Sequence, residues 1–365
     1  MCFKSQRLKI RQHKPILLHT HRHAVAMGSI NLESNKLEMY EIGPCKDAFQ
    51  IGFLIGQKFS KQIHNRLSTD LILQNQLLPF ALLPDSQPLI HTLSETNKNK
   101  FPNYWNELKG IAQGSGVPFL NFLQILLLNF RKEILPFIPK TENYPKEEDI
   151  NDDCSSILVV SNTMAVAAHN EDANVALVGH TYLVKVALSN GTTFTAYTYA
   201  GELPSCAFGF NNHGVRIYSS EASVGHSYNL IDTRSRRILN VETASRNRIS
   251  VHEIGETPFF HANMYLHLQV KQYIEVKLLS IFWVMKAQDE NSLSRQARAS
   301  SLAKESKSDF LALLGDMSND KYPIYMTGPL LYTLCTAVID LDEKILTIIE
   351  GNPKEKQESY VFSLS

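Results

Sequence analysis

The chain has 365 residues, 44% of them apolar and 20% charged, and Lys plus Arg equals Asp plus Glu at 36 each. That balance belongs to a folded globular protein with room for about two structural units; it excludes chain-wide disorder and a global field favouring nucleic acid or an anionic surface. No apolar run reaches the roughly 20 residues of a bilayer-spanning helix, because 119–128 and 276–285 are short and are broken by Asn121 and Lys277.

Residues 1–38 read as a basic leader. Lys4, Arg7, Lys9, Arg11, Lys14 and Arg22 all precede the first acidic residue, Glu33. His19, His21 and His23 interrupt any apolar core of a secretory signal, so the stretch reads as transit-like or as an upstream extension with Met27 as the working start. Cys2, Cys45, Cys154, Cys206 and Cys335 are scattered, without the spacing of a disulfide framework. An intracellular compartment, cytoplasmic or organellar, is therefore expected. From 39 to 153 the apolar spacing is helical: 47–67 brings Phe49, Phe53, Leu54, Phe59 and Ile63 to roughly one side. Further helices are expected at 70–83, 102–112 and 119–135, with Gly114 and Gly116 breaking the chain before the last and Pro118 suited to its first turn.

An acidic, polar linker, 139–153, ends this half. From Cys154 to 365 the pattern turns to strands. Runs at 156–161 and 165–169 come first, and 180–188 and 192–199 flank Ser189-Asn190-Gly191, a hairpin signal because Asn-Gly suits positive φ. Pairs at 207–210 with 215–219, 237–243 with 248–254, and 331–340 with 344–349 follow. Two helices, 292–305 and 308–314, are inserted. Helices followed by antiparallel hairpins predict an α+β layered fold.

The chemistry concentrates at Asp152-Asp153-Cys154-Ser155-Ser156, where a thiol opens an apolar strand directly after the acidic run. Residues alone leave two readings open. One is a mobile linker followed by an edge-strand cysteine. The other is a nucleophile freed by cutting between Asp153 and Cys154: the thiol attacks the Asp153 carbonyl, an N-to-S shift gives a thioester, and water releases Cys154 as a new N-terminus. Its α-amino group, with an ordinary pKa of about 7.7, then serves as base to its own thiol, and no separate histidine is required.

One hairpin later, His169-Asn170-Glu171-Asp172 ends an apolar strand. These are turn formers or, on an antiparallel return, groups brought near the thiol, with Asp172 holding the freed ammonium and Asn170 donating a hydrogen bond. Asn229 in Ser227-Tyr228-Asn229-Leu230 and Asn263 in His261-Ala262-Asn263 carry the same choice between turn residue and amide donor to an oxyanion. No G-x-S-x-G elbow, P-loop or H-E-x-x-H occurs, and the 13 histidines lack ligand spacing. No cofactor and no metal are expected.

Five ordered motifs give the sequence a resemblance. Glu107-Leu108-Lys109-Gly110-Ile111-Ala112-Gln113-Gly114-Ser115-Gly116 matches E-x-x-G-I-A-x-G-x-G; Cys154-Ser155-Ser156 matches a Cys-Ser/Thr-Ser/Thr start of a second chain; Asn170-Glu171-Asp172 matches Asn-x-Asp; Gly209–Val215 matches Gly-Phe-Asn-x-x-Gly-Val; and His261-Ala262-Asn263 matches His-Thr/Ala-Asn. From about Met39 onward the chain resembles the peptidase C45 family, the acyl-coenzyme A:6-aminopenicillanic-acid acyltransferases and their relatives. The resemblance implies an N-terminal-nucleophile αββα sandwich with an N-terminal helical pro-segment. It also implies Cys154 as nucleophile, Asp172 as orienting carboxylate, Asn229 as oxyanion donor, and Asn170 and Asn263 in support.

The departures are local. Asp153 stands where the best-known members have Gly, a family segment is missing between Ser220 and Ser223, 273–287 reads as an insertion, and 326–334 contains no counterpart of a family arginine. The resulting expectation is a self-processing cysteine amidohydrolase or acyltransferase, a zymogen whose cleaved halves stay associated. It acts on a small acyl amide or acyl thioester, with water or an amine as acceptor, and needs neither nucleic acid nor a membrane span. Two alternatives stay open: an unprocessed, non-catalytic relative that serves as a binding module, and an uncleaved amidase using Cys154 with His169 as base.

Overall fold

A Gly-x-x-x-Gly spacing occurs twice in the helical half, at Gly52/Gly56 and Gly110/Gly114, and the two stripes meet. A Cβ on Gly52 would lie 2.0 Å from the carbonyl oxygen of Glu107, and one on Gly110 would lie 2.2 Å from that of Phe49. Only glycine lets two helix backbones approach so closely. The helices involved are α1 (Ala48–Lys58), capped by Asp47 Oδ1 accepting from the Gln50 N–H at 2.8 Å, and α5 (Pro102–Gly114). Between them lie α2 (Ser60–Thr69), a π turn (Leu73–Leu77), α3 (Leu78–Leu82) and α4 (Gln87–Lys100); α6 (Phe119–Asn129) and α7 (Arg131–Ile134) follow. The E-x-x-G-I-A-x-G motif is thus the seam of a helix pair, and its Glu107 is buried, with burial pushing its carboxyl up to about 8.

This computed structural model describes residues 37–116, 119–139, 153–204, 207–212, 226–244, 248–269, 290–355 and 358–364, all within one compact unit, Lys36–Ser365. The leader, the linker interior, the junction at 220–223, the strand expected at 215–219 and the insertion at 273–287 lie outside the described residues. Among those described, no helix is long and apolar enough to cross a membrane.

The helix expected over 47–67 divides at Phe59, and that over 70–83 becomes the π turn plus α3. Pro79 has no N–H to offer the carbonyl four residues back, so the ladder widens ahead of it. The segment 87–100 is helical without a clear apolar stripe, with Pro88 in its first turn. A strand, β1 (Glu38–Cys45), precedes all of these.

The remaining elements are β2 (Asp153–Val160), β3 (Ala165–Asn174), β4 (Thr181–Leu188), β5 (Thr193–Tyr199), β6 (Gly209–Asn211), β7 (His226–Asp232), β8 (Arg237–Ala244), β9 (Arg248–Glu253), β10 (Phe259–His261), α8 (Glu290–Ser300), α9 (Lys307–Leu314), β11 (Leu331–Asp340), β12 (Ile345–Ile349) and β13 (Glu358–Ser363). Gly191, at φ +83°, makes the β4–β5 turn that the Asn-Gly pair predicts. Among the described residues three sheets form, in the orders β1-β4-β5-β6, β10-β2-β3-β11-β12-β13 and β7-β8-β9. β1 lies parallel to β4, so a strand from the mainly helical half joins the sheet of the other half.

Among the described residues, four apolar clusters hold the layers together. Ile55, Ile63, Leu73, Ile111 and Leu127 of the helices pack on Tyr182, Val184 and Val186 of β4. Leu183, Tyr197 and Tyr199 meet Ala173, Ala337 and Ile348 between the two larger sheets. Ile157, Val166 and Ala168 pack on Phe310, Leu313 and Leu314 of α9, and Leu158 and Ala167 meet Ile231 and Ile238 of the small sheet. Each fully buried Leu or Ile contributes about 1.5–3 kcal/mol. The fold is α+β, as the hairpin pattern predicts.

Candidate functional site

β2 and β3 form an antiparallel pair in which Cys154 lies opposite Glu171 and Ser156 opposite His169. Directly opposed residues share a face and successive residues alternate. Cys154, Ser156, His169 and Glu171 therefore share one face, and Ser155, Asn170 and Asp172 share the other. The polar tetrad does not end its strand as the sequence suggests: β3 runs on through Asn174. What makes this possible is a hydrogen-bond partner for each buried polar side chain, without which the strand would lose several kcal/mol.

On the thiol face, Cys154 Sγ lies 4.0 Å from Glu171 Oε2. His169 Nε2 meets the same oxygen at 3.0 Å, and its Nδ1 meets Ser156 Oγ at 2.9 Å. The phenol of Tyr199, from β5, donates to Glu171 Oε1. Asn229 Nδ2 donates to Ser156 Oγ at 3.3 Å, Asn240 Nδ2 donates to Asn229 Oδ1 at 2.7 Å, and Asn240 Oδ1 lies 2.8 Å from His267 Nε2. A continuous polar chain thus runs from the β2–β3 pair across β7 and β8. Burial pushes the Cys154 thiol well up, and the charges of Glu171 and Asp172 add to this, against the Asp172 backbone N–H and the Lys132 ammonium. In this environment the thiol holds its proton.

The opposite face is a clamp. Arg295 of α8 is fully buried. Its guanidinium donates to the carbonyl of Cys154 at 2.7 Å, Ser155 Oγ at 2.9 Å, Asn263 Oδ1 at 3.1 Å and Asn291 Oδ1 at 2.8 Å. Asn170 Nδ2 donates to the carbonyls of Leu314 and Ile324, and its Oδ1 accepts from Thr336. Asp172, opposite Asp153 in register, accepts from Thr333 Oγ1 at 2.5 Å.

The backbone N–H of Cys154 donates to Asn263 Oδ1 at 2.7 Å. Asn263 follows β10, and the next stretch is anchored by the buried carboxylate of Glu242 on β8, which accepts from the N–H groups of Leu266, His267 and Leu268. Burial would raise the Glu242 carboxyl, but His261, 3.5 Å away, and these three donors outweigh it and hold it at about 2.

Of the residues singled out in the sequence, the structure brings together Cys154 and Asn263 directly, and Asn229 one hydrogen bond further off at Ser156. Asn170 and Asp172 lie on the face away from the thiol. Glu171, Arg295, Tyr199 and Glu242 were not singled out. Glu171 and Asn263 lie in quoted motifs, so strict strand alternation from Cys154 would have pointed to Glu171; Arg295 carries no local signal because its partners at the site, outside its own helix, are 32 to 141 positions away.

The geometry thus places a thiol at the head of a strand on an α+β scaffold, with its own N–H and carbonyl held by side chains. Residues 217–355 match the family model of acyl-coenzyme A:6-aminopenicillanic acid acyl-transferase. The family resemblance read from the motifs therefore holds across this part of the chain, which includes Asn229, Asn263 and Arg295. The chain is also similar to the beta-alanyl-dopamine/carcinine hydrolase of Drosophila melanogaster, 27% identical over 177 residues, a match covering 46% of this chain and 44% of the relative. The match spans less than half of the length of either protein.

Proposed function

We propose that the protein is a self-processing cysteine N-terminal-nucleophile enzyme, an amidohydrolase or acyltransferase for a small acyl amide or acyl thioester. The layers of helices, two sheets and the helix pair α8/α9 are read as the αββα sandwich of that class, with 39–153 as its pro-segment. The observation that carries the proposal is the backbone nitrogen of Cys154, held by Asn263 Oδ1 at 2.7 Å with the thiol of the same residue on the open face of the strand.

In the uncut chain the Cys154 thiol attacks the Asp153 carbonyl, and the peptide nitrogen leaves as an amine while a thioester forms. Water then cleaves the thioester to the Asp153 carboxylate and the free thiol. The new α-amine donates to Asn263 Oδ1, which leaves its lone pair to take the proton of the burial-raised thiol. The thiolate attacks the substrate carbonyl, the leaving amine takes that proton, and the S-acyl group passes to water or to an acceptor amine.

Asp172 is assigned the charge that steadies the ammonium across the strand, and Asn170 the clamp that holds β3. Asn229 is assigned the oxyanion, exchanging its long 3.3 Å bond to Ser156 for a charged acceptor. The relative's name, beta-alanyl-dopamine/carcinine hydrolase, makes a small amide with an amine leaving group the first substrate class to try. Intact mass of the full chain beside Cys154→Ala tests the proposal. Two fragments meeting at Asp153/Cys154 in the wild type alone support it; one uncut, folded chain in both would leave the binding-module reading.

A second reading has its own observation: His169 is bonded to Glu171 within reach of the same thiol, an arrangement suited to an uncleaved thiol–imidazole amidase. There, His169→Ala would remove activity and Asp172→Ala would not.

A further inference from the structure

The thiol face brings three different ligand types to one point. Cys154 Sγ, His169 and Glu171 each offer an atom, and these atoms all lie within 4.8 Å of one another. We propose that Cys154 Sγ, His169 Nε2 and Glu171 Oε2 form a three-ligand site for a zinc-class divalent cation, with the fourth position open to water, and that occupancy holds the nucleophile inactive. The inhibitory half of the proposal rests on the nucleophile reading above; the binding half does not.

Geometry comes first. Bonds of about 2.3 Å to sulfur and about 2.0–2.2 Å to nitrogen and oxygen place tetrahedral ligand atoms roughly 3.5 Å apart. Here Sγ and Oε2 are 4.0 Å apart, Nε2 and Oε2 are 3.0 Å apart, and all the ligand atoms lie within 4.8 Å of one another, so side-chain adjustments of up to roughly 1 Å bring all three to bonding positions around one ion. The backbone need not move: all three side chains rise from the same face of two strands in fixed register.

The outer partners are also in place. A ligating imidazole normally donates its other ring N–H, and a ligating carboxylate is normally held by a further hydrogen bond. His169 Nδ1 has Ser156 Oγ at 2.9 Å, and Glu171 Oε1 has the Tyr199 phenol. The donor set chooses the metal: thiolate and imidazole favour zinc or cobalt over magnesium or calcium, which seek oxygen. Access is provided on the histidine side, where the His169 side chain is 22% exposed against 4% for Glu171.

The proton balance is simple. The cation replaces the proton of the Cys154 thiol, the proton goes to solvent, and no electron moves. Because one proton is released for each ion bound, binding strengthens as pH rises. With Sγ bound to the ion, its lone pairs are withdrawn both from the Asp153 carbonyl and from an acyl substrate.

The test uses metal-free, reduced, full-length protein titrated with Co²⁺ and then with Zn²⁺. The expected result is one cobalt per chain, with a thiolate-to-cobalt charge-transfer band and tetrahedral d–d bands that zinc displaces. Cys154→Ala should abolish the charge-transfer band, and His169→Ala and Glu171→Gln should each weaken binding about tenfold or more. His64→Ala, whose ring bonds the Ser115 carbonyl instead, should leave it unchanged. Near-ultraviolet circular dichroism checks that each variant is folded.

A second readout needs no variant: saturating Zn²⁺ should slow iodoacetamide alkylation of Cys154, measured on its peptide by mass, about tenfold or more. Cobalt affinity unchanged in folded His169→Ala, or alkylation unaffected by zinc, overturns the proposal. Cobalt bound through Cys154 and His169 by a chain that neither cuts itself nor takes up an acyl group would sink the nucleophile reading and leave the site standing. Self-cleavage and acyl uptake without cobalt binding would do the reverse.

Discussion

The two faces of the β2–β3 pair use the same kinds of residue to opposite ends. On one, Cys154, Ser156, His169 and Glu171 bond mainly to one another and to polar side chains of other strands, and the site stays partly open. On the other, Ser155, Asn170 and Asp172 are buried and tied to α8, β11 and the carbonyls of Leu314, at the end of α9, and Ile324. Under the proposed reading, the thiol side chain and most of the anchorage are thus separated by the one-residue alternation of a strand, Asp172 alone serving both. A polar residue beside Cys154 in sequence lies on the side of the strand away from the thiol; one two places away lies on the thiol's side.

Under the proposed reading, the largest separation between the faces comes from Cys154→Ala. It should abolish self-cleavage and turnover while changing stability by less than about 1 kcal/mol, since a small half-buried group is lost without leaving a charge behind. Intact mass and urea unfolding check the two halves of that statement. Arg295→Ala acts from the other face. It removes the donor shared by the Cys154 carbonyl, Ser155 and Asn263, and hydrogen bonds to a charged group contribute about 1.5–3 kcal/mol each. A loss of about 3 kcal/mol in urea unfolding is expected, with slowed cleavage as a consequence. Normal stability with abolished cleavage would instead move Arg295 into the chemistry.

Glu242 tests how far the anchoring extends. Its carboxyl is held at about 2 in the folded state, against an ordinary value of about 4.3. A depressed acid contributes stability that is present above the unfolded value and is lost as pH falls through it toward the folded value. At about 1.4 kcal/mol per unit of depression, this is roughly 3 kcal/mol, fading between about pH 5 and pH 2. Glu242→Gln should be less stable at pH 7 and show a flatter stability curve below pH 5. Unchanged acid sensitivity would mean that the segment carrying Asn263 is held by something else.

Much of the scaffold was legible in the sequence. Asn190-Gly191 and the alternating runs at 237–254 and 331–349 give their hairpins nearly to the residue, because turn chemistry and period-two patterning are local. β1 was not legible, since its parallel partner β4 is some 140 positions away, and α4 was not, since its exposed face carries little apolar signal. At the site, Cys154 stood out because a thiol heading an apolar strand after an acidic run is out of place. The roles within His169–Asp172 did not, because a strand and a turn assign opposite directions to neighbouring side chains, and only the satisfaction of Asn170 and Asp172 by distant partners decides for the strand.

The smallest expected effect is also the sharpest test of the alternation. Ser155 and Ser156 both belong to the motif that begins at Cys154, and composition cannot rank them. Ser155 Oγ accepts from Arg295, which keeps the Cys154 carbonyl, Asn263 and Asn291 as partners if that hydroxyl is lost. Ser155→Ala should therefore cost about 1 kcal/mol, the value of one hydrogen bond, and leave the cleavage rate within about threefold. Ser156 Oγ joins His169 to Asn229 on the open face. Ser156→Ala should cost a similar amount of stability yet alter the rate of processing or acyl transfer by about tenfold, because it removes the hydrogen bond that links the imidazole to the assigned oxyanion donor and leaves each with one fewer restraint. Time courses of self-cleavage for the two variants, measured at equal folded fraction, compare them directly. Equal rates would mean that the strand's two faces are coupled through the backbone, and the separation of chemistry from anchorage would fail at its closest pair of residues.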